Sequence, residues 1–180
     1  GFKKEDLENQ TYQSLEEIFQ EVEQVVESFQ LNIPIFVAGG IHQRSDVKHF
    51  FELGVDGVQV ASRFIPTYEC DASMKYKEAF LKAKKEEVGL VSSPVGMPGR
   101  AFQNAFVQKT KQEKVPIKKC YQCLTPCNLK TTPYCISRAL IEAVKGNLDE
   151  GLIFTGAYGY MQDHLMHVEE VIHELMEDEK

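Results

Sequence analysis

Two short apolar runs, about twenty residues apart, stop abruptly at small residues and limit what this chain can fold into. Ile33-Pro34-Ile35-Phe36-Val37-Ala38 ends in Gly39-Gly40, and Asp56-Gly57-Val58-Gln59-Val60 ends in Ala61-Ser62-Arg63. The first run has no polar alternation, the pattern of a parallel strand buried on both faces. Small residues at a strand end let backbone N–H groups approach a ligand without interference from a Cβ. Helix-like sequence follows each run, and helix N-termini attract anions. Two such ends side by side would grip a phosphate, with the Ser62 hydroxyl as a further donor and Arg63 as added charge; the plainer alternatives are glycines that only turn the chain between strand and helix, and an Arg63 held in a surface salt bridge.

The surrounding sequence alternates helix and strand. Leu15, Ile18, Phe19, Val22, Val26 and Phe29 recur at three- and four-residue spacing and predict an amphipathic helix, broken at Asn32. Ser45 is the expected N-cap of a second helix, with Asp46 in its first turn and a stripe of Val47, Phe50, Phe51 and Leu53 ending at Gly54. A third helix is expected from about Ser73 to Lys85, then an apolar run, Val88–Val91. The Ser92–Arg100 stretch, with two prolines and two glycines, reads as a loop. A Lys-rich connection over 109–119 leads to helices expected at 134–145, 149–158 and 167–178. Helix–strand alternation is the βα repeat of a parallel sheet. With only about three strands, the chain reads as α/β and as part of an eight-stranded (β/α)₈ (TIM) barrel, with a helical C-terminal segment. The expected division is 1–108 for the βα units and 109–180 for the cysteine-bearing segment. A small open α/β sheet is the alternative.

Bulk properties narrow the function classes. The chain has 180 residues, 43% hydrophobic and 26% charged, as expected for one soluble globular unit. A net charge of −7 argues against a polyanion partner such as nucleic acid. The longest apolar run, Ile33 to Ile41, contains two glycines and is too short to cross a bilayer. The N-terminal Gly1-Phe2-Lys3-Lys4-Glu5-Asp6 has no apolar signal core. Five cysteines, four of them within residues 120–135, suit a reduced cytoplasmic protein better than a disulfide scaffold.

Those four are Cys120-x2-Cys123-x3-Cys127-x7-Cys135, a set able to complete a tetrahedral thiolate shell around Zn²⁺ or to hold an iron–sulfur cluster. Lys118, Lys119 and Lys130 would offset the excess negative charge. Buried free thiols or a redox-active pair are the plainer alternatives, and Cys70 reads as a packing residue. His164 and His167, with His173 further on, fall in an acidic tail; a pair at i, i+3 can bind metal, but a solvated helix face is expected. His42 follows the Gly-Gly turn and would lie at the strand C-terminal face where barrel active sites form, although a lone loop histidine more often faces solvent than catalyses. Glu69 and Asp71 flank Cys70 as a possible acid pair, with exposed loop carboxylates the plainer reading.

Several segments taken together resemble the nitronate monooxygenase family, which includes the FMN-dependent enoyl-ACP reductase II enzymes. They are Ile33–Ile41, Gly54–Phe64, Glu69-Cys70-Asp71-Ala72 and Ser93–Ala101. Pro133-Tyr134-Cys135-Ile136 and Ala143-Val144-Lys145-Gly146-Asn147 resemble the tail of a cysteine-bearing subgroup. The resemblance implies an FMN-binding TIM barrel with an added helical segment. It also implies that Ala38, Gly39, Gly40, Gln59, Ala61 and Ser62 hold the phosphate end of FMN. Family members commonly have Gly-Thr where this chain has Ala61-Ser62, so the hydroxyl is kept and a Cβ is added. The family's catalytic His lies in a Gly-Gly-His segment, and Gly1-Phe2 corresponds to sequence immediately after it. The resemblance therefore implies a C-terminal half that lacks the proton-transfer residue and works with the preceding half of the same protein. The expected activity is oxidation of alkyl nitronates with O₂. The alternatives are an NAD(P)H-dependent flavin reductase and a non-catalytic metal-binding module. Unpaired strand edges in an isolated half-barrel would favour a homodimer.

Overall fold

A serine and a glutamate three residues apart open the first helix. In the computed structural model, which describes residues 13–177 apart from 95, 97, 121 and 126, Ser14 Oγ accepts the Glu17 N–H at 3.1 Å. Glu17 Oε2 accepts the Ser14 N–H at 2.8 Å, which completes a capping box. Helix α1 runs Leu15–Ser28 and buries Phe19, while Ile18, Val22, Val25 and Phe29 remain largely exposed. Strand β1 (Phe36–Ala38), helix α2 (Arg44–Glu52) and strand β2 (Gly57–Gln59) follow, then a 3₁₀ turn over Ser62–Phe64. Helix α3 (Met74–Lys82), strand β3 (Val88–Val91), strand β4 (Gly99–Phe102), helix α4 (Ala105–Gln112), helix α5 (Ile136–Val144) and helix α6 (Val168–Met176) complete the order. The chain is mixed α/β. Gly1–Asp6, Val95 and Met97, named above, lie outside the described residues.

β1 and β2 pair in parallel, with Phe36 opposite Gly57, Val37 opposite Val58 and Ala38 opposite Gln59. Asp56 clamps the entry to this pair: its carboxylate accepts the Ile35 N–H at 2.7 Å, and its own N–H donates to Ile35 O at 3.0 Å. The two-faced burial expected of the first strand is not met, since Val37 is buried and Phe36 is 65% exposed. Val37, Ile41, Val47, Phe50 and Val55 pack with Phe19 of α1 and with Met166, Val171 and Leu175, so the C-terminal helix closes the core of the βα unit.

Three expectations are corrected. Gln43, not Ser45, caps α2, because the Asp46 carboxylate turns back to accept the N–H groups of His42 (2.8 Å) and Gln43 (2.9 Å). The end of the expected Ser92–Arg100 loop is strand: β4 begins at Gly99 and pairs antiparallel with β3, so Val88–Val91 is not a third parallel strand. Residues 149–158 are not helical. Phe154 bridges Ala101, Phe102 N–H donates to Ile153 O at 3.0 Å and Thr155 N–H to Arg100 O at 3.0 Å, so this segment runs along β4. Gly151 and Gly156 weaken any helix here. Burial of Leu152 and Ile153, each 1% exposed, favours the extended path.

Candidate active site

Parallel pairing sends β1 and β2 out of the sheet at the same rim. The chain continues into Gly39-Gly40 on one side and Val60-Ala61-Ser62 on the other. Ala38, Gly39, Gly40, Gln59, Ala61 and Ser62 all line one cavity of about 440 Å³. Gly39 and Gly40 adopt φ of +100° and +68°, a region L side chains rarely enter. A Cβ on Gly39 would meet nothing within 4 Å, and one on Gly40 would sit 3.9 Å from the Tyr158 ring. The backbone here is bare toward the cavity. Ala61 has φ −126°, so its Cβ causes no backbone strain.

A further wall is the Phe154–Gly159 segment, which continues from the extended run beside β4. It reaches the cradle because the extended run beside β4 delivers Gly156, whose N–H donates to Ser62 Oγ at 2.8 Å. That bond uses an oxygen lone pair and leaves the Ser62 hydroxyl proton free to donate to a ligand. Sequence reasoning missed this wall. Its available signal was Thr155-Gly156-Ala157-Tyr158-Gly159, small residues around two glycines, in a stretch assigned to helix.

A cationic group lies behind the rim. Arg63, 9% exposed, pairs with the Glu174 carboxylate of α6, and its Nη1 donates to His42 Nε2 at 3.4 Å. Accepting that bond requires a neutral imidazole. Burial, followed by the Arg63 charge, holds the His42 pKa below its usual value, against opposing pulls from Asp46 and Glu174. His42 is therefore a buried wall residue, 6% exposed, at the strand C-terminal rim as its position after the Gly-Gly turn suggested, and it does not face solvent. Arg63 Nε is buried without a hydrogen-bond partner among the described residues. An orphaned buried guanidinium N–H beside bare glycine amides and a free hydroxyl proton is a donor set suited to an anion. The phosphate of FMN fits that chemistry.

The tail histidines do not converge. His164 pairs with Asp163 at 2.6 Å, His167 with Glu69 at 2.8 Å and His173 with Glu177 at 2.7 Å. Glu69 also accepts the Val168 N–H at 3.0 Å, so it anchors the start of α6 and is not paired with Asp71. Cys120, Cys123, Cys127 and Cys135 are free thiols on the wall of a separate cavity. Among the described residues no three His, Cys, Asp or Glu side chains are grouped to hold a metal ion, so no tetrahedral shell around a single ion is assembled. No helix of the described residues is long and apolar enough to cross a membrane.

The donor-lined cavity lies at the carboxyl ends of two parallel strands in a mixed α/β fold, the position at which such folds commonly bind ligands. A model of the nitronate monooxygenase family matches residues 1–178, and the chain belongs to that family. It is 33% identical over 83 residues to a probable nitronate monooxygenase of Staphylococcus saprophyticus, covering 46% of this chain and 23% of the relative. A probable nitronate monooxygenase of Bacillus subtilis is 29% identical over 82 residues, covering 46% and 24%. Among solved structures, FabK from Thermotoga maritima aligns with TM-score 0.64 and 25% identity, over 83% of this chain and 45% of that one. Nitroalkane oxidase from Streptomyces ansochromogenes aligns with TM-score 0.66 and 18% identity, over 97% and 45%. The matched stretch thus spans about a quarter of these curated relatives and under half of these structures.

Proposed function

We propose that this chain supplies the phosphate-gripping part of an FMN site in a nitronate monooxygenase-type oxidoreductase, within a TIM barrel completed by a preceding half of the same protein. One observation carries the reading: the parallel register brings Gly39-Gly40 and Ala61-Ser62 to one rim, on one cavity, with Arg63 behind them. Gly39 and Gly40 would present backbone N–H groups to the phosphate, Ser62 its hydroxyl proton and Arg63 its Nε–H. Ala38, Gln59 and Ala61 would shape the channel leading from the phosphate, and Tyr158 would cover Gly40. Bound FMN would supply the reversible electron chemistry that no side chain of this cavity can perform. The chain's own contribution is to orient the cofactor and neutralise its charge.

Oxidation of alkyl nitronates is the proposed activity of the whole protein. Similarity to FabK supports a second reading, in which a nicotinamide donor reduces the flavin. Both require the same cradle. The test is FMN content and turnover of the protein carrying both halves, with an alkyl nitronate under O₂ and, separately, with NADH or NADPH. Flavin bound with nitronate turnover is the expected result. Protein that retains no FMN after loading refutes the cradle under either reading.

A further inference from the structure

We propose that His42 is a further ligand-binding residue of the cradle, and that it takes up a proton when a phosphate dianion binds there. The proposal rests on the cradle reading above and adds proton-linked control of the same site. His42 lines the same cavity as Gly39, Gly40 and Ser62 and is almost wholly buried. Its backbone is pinned, because the Asp46 carboxylate accepts the N–H groups of His42 at 2.8 Å and Gln43 at 2.9 Å. Its ring is fixed as well. Arg63 Nη1 lies 3.4 Å from His42 Nε2, and a guanidinium can only donate. Nε2 must therefore accept, which places the ring proton on Nδ1. With Nε2 engaged, Nδ1–H is the donor that the ring keeps for a ligand. Among the described residues nothing accepts it.

The charges around the ring keep it neutral until an anion arrives. Arg63 of the 3₁₀ turn, Asp46 of α2 and Glu174 of α6 act on it. Glu174 is already paired with Arg63, and Asp46 is engaged by two backbone N–H groups. The other titratable side chains on the cavity wall, Tyr76 and Tyr158, are phenols, uncharged near neutral pH. Protonation would turn Nε2 into a donor facing the Arg63 donor and would bury a second positive charge beside the first. A phosphate monoester dianion reverses that balance. Its two negative charges face one guanidinium that Glu174 partly neutralises, so an imidazolium is favoured and its Nδ1–H donation becomes charge-assisted. His42 would thus select a dianionic terminal phosphate, as in FMN. Riboflavin, which has no phosphate, would leave it neutral. A group whose pKa rises on binding takes up a proton, so affinity is lost as pH rises.

The test is isothermal titration calorimetry of the protein carrying both halves, with FMN at about pH 7.5 in two buffers of different ionisation enthalpy. The difference in heat counts the protons taken up. A phosphate monoester, with its second pKa near about 6, is already dianionic at that pH and contributes almost none of them. Uptake of at least about 0.3 proton per FMN is expected, and none with riboflavin. FMN affinity should fall several-fold from about pH 6.5 to 8.5, within the limit of about tenfold per pH unit for one proton. His42→Gln keeps an acceptor for Arg63 but cannot titrate, so it should bind FMN without uptake and with no loss of affinity over that range. Nitrogen-15 resonance of the histidine rings supplies a measurement on the unaltered chain: one neutral, Nδ1-protonated ring should become imidazolium with FMN and not with riboflavin. FMN bound more tightly than riboflavin but without proton uptake, without a new imidazolium, or with uptake that persists in His42→Gln would overturn the proposal and leave the cradle standing. FMN bound no more tightly than riboflavin would refute the cradle, and this proposal with it.

Discussion

Replacing Gly40 with valine tests the cradle beside the Tyr158 ring. Gly40 holds φ +68°, a conformation costing an L residue about 1–2 kcal/mol, and more when the side chain is β-branched. Its new Cβ would lie 3.9 Å from the Tyr158 ring, so the γ-methyls must press on that ring or enter the cavity. Either outcome moves the backbone N–H from the phosphate. One hydrogen bond to a charged group is worth about 1.5–3 kcal/mol, so FMN affinity should fall roughly 10- to 150-fold. Flavin fluorescence titration of the protein carrying both halves measures this directly. Gly40→Ala separates the causes: it carries the backbone penalty without the branch, so it should lower Tm while losing only part of the affinity. If Gly40→Val folds and binds FMN within about twofold of the parent, the N–H of residue 40 does not hold the phosphate.

Further outcomes follow from other contacts. Ser62→Ala removes both the acceptor of the Gly156 N–H and a ligand donor, so it should cost about 1 kcal/mol in stability and weaken FMN, with Ser62→Thr restoring both. Glu174→Gln leaves the Arg63 charge without its partner; with Glu174 half-exposed, the loss in urea denaturation should lie near 1 kcal/mol and not at the 3–5 of a fully buried pair. Gly151→Ala would drive a Cβ to 2.5 Å from Ala143 Cα, a backbone clash that should destabilise by about 1–3 kcal/mol and lower Tm without changing the cradle. His42 is held neutral below its unfolded value of 6.5, so the unfolded chain binds more protons. Stability should therefore decline as pH falls below about 6.5, until the folded-state pKa is passed. The His167–Glu69 pair acts on both sides: the raised His167 pKa gives stability lost as pH rises, and the lowered Glu69 pKa gives stability lost as pH falls into the carboxylate range. His42→Gln should accordingly flatten the acid side of a Tm-against-pH curve and leave the alkaline side unchanged.

The shared rim of Gly39-Gly40 and Ala61-Ser62 was readable because its determinants are local. Gly39-Gly40 and Ala61-Ser62 each end an apolar run, and parallel pairing of two short strands joined by a helix puts their ends at one rim. Contacts distant in sequence hid the rest. Arg63 and Glu174 are 111 residues apart, so neither the burial of His42 nor its neutral state has a nearby sequence signal. Leu152-Ile153-Phe154 is a short apolar run compatible with helix or strand, and only its pairing with β4 selects the extended path. The glycines and prolines before Arg100 read as loop. Yet Gly99 begins a strand through its pairing with Val91, and the Phe154 ring occupies the space a Cβ would take there.

The most direct measurement compares FMN with riboflavin, which lacks only the phosphate. The account predicts FMN binding at least about tenfold tighter, with most of that advantage lost in Gly40→Val. Equal affinity for the two flavins would contradict it, because the cradle would then hold something other than the phosphate.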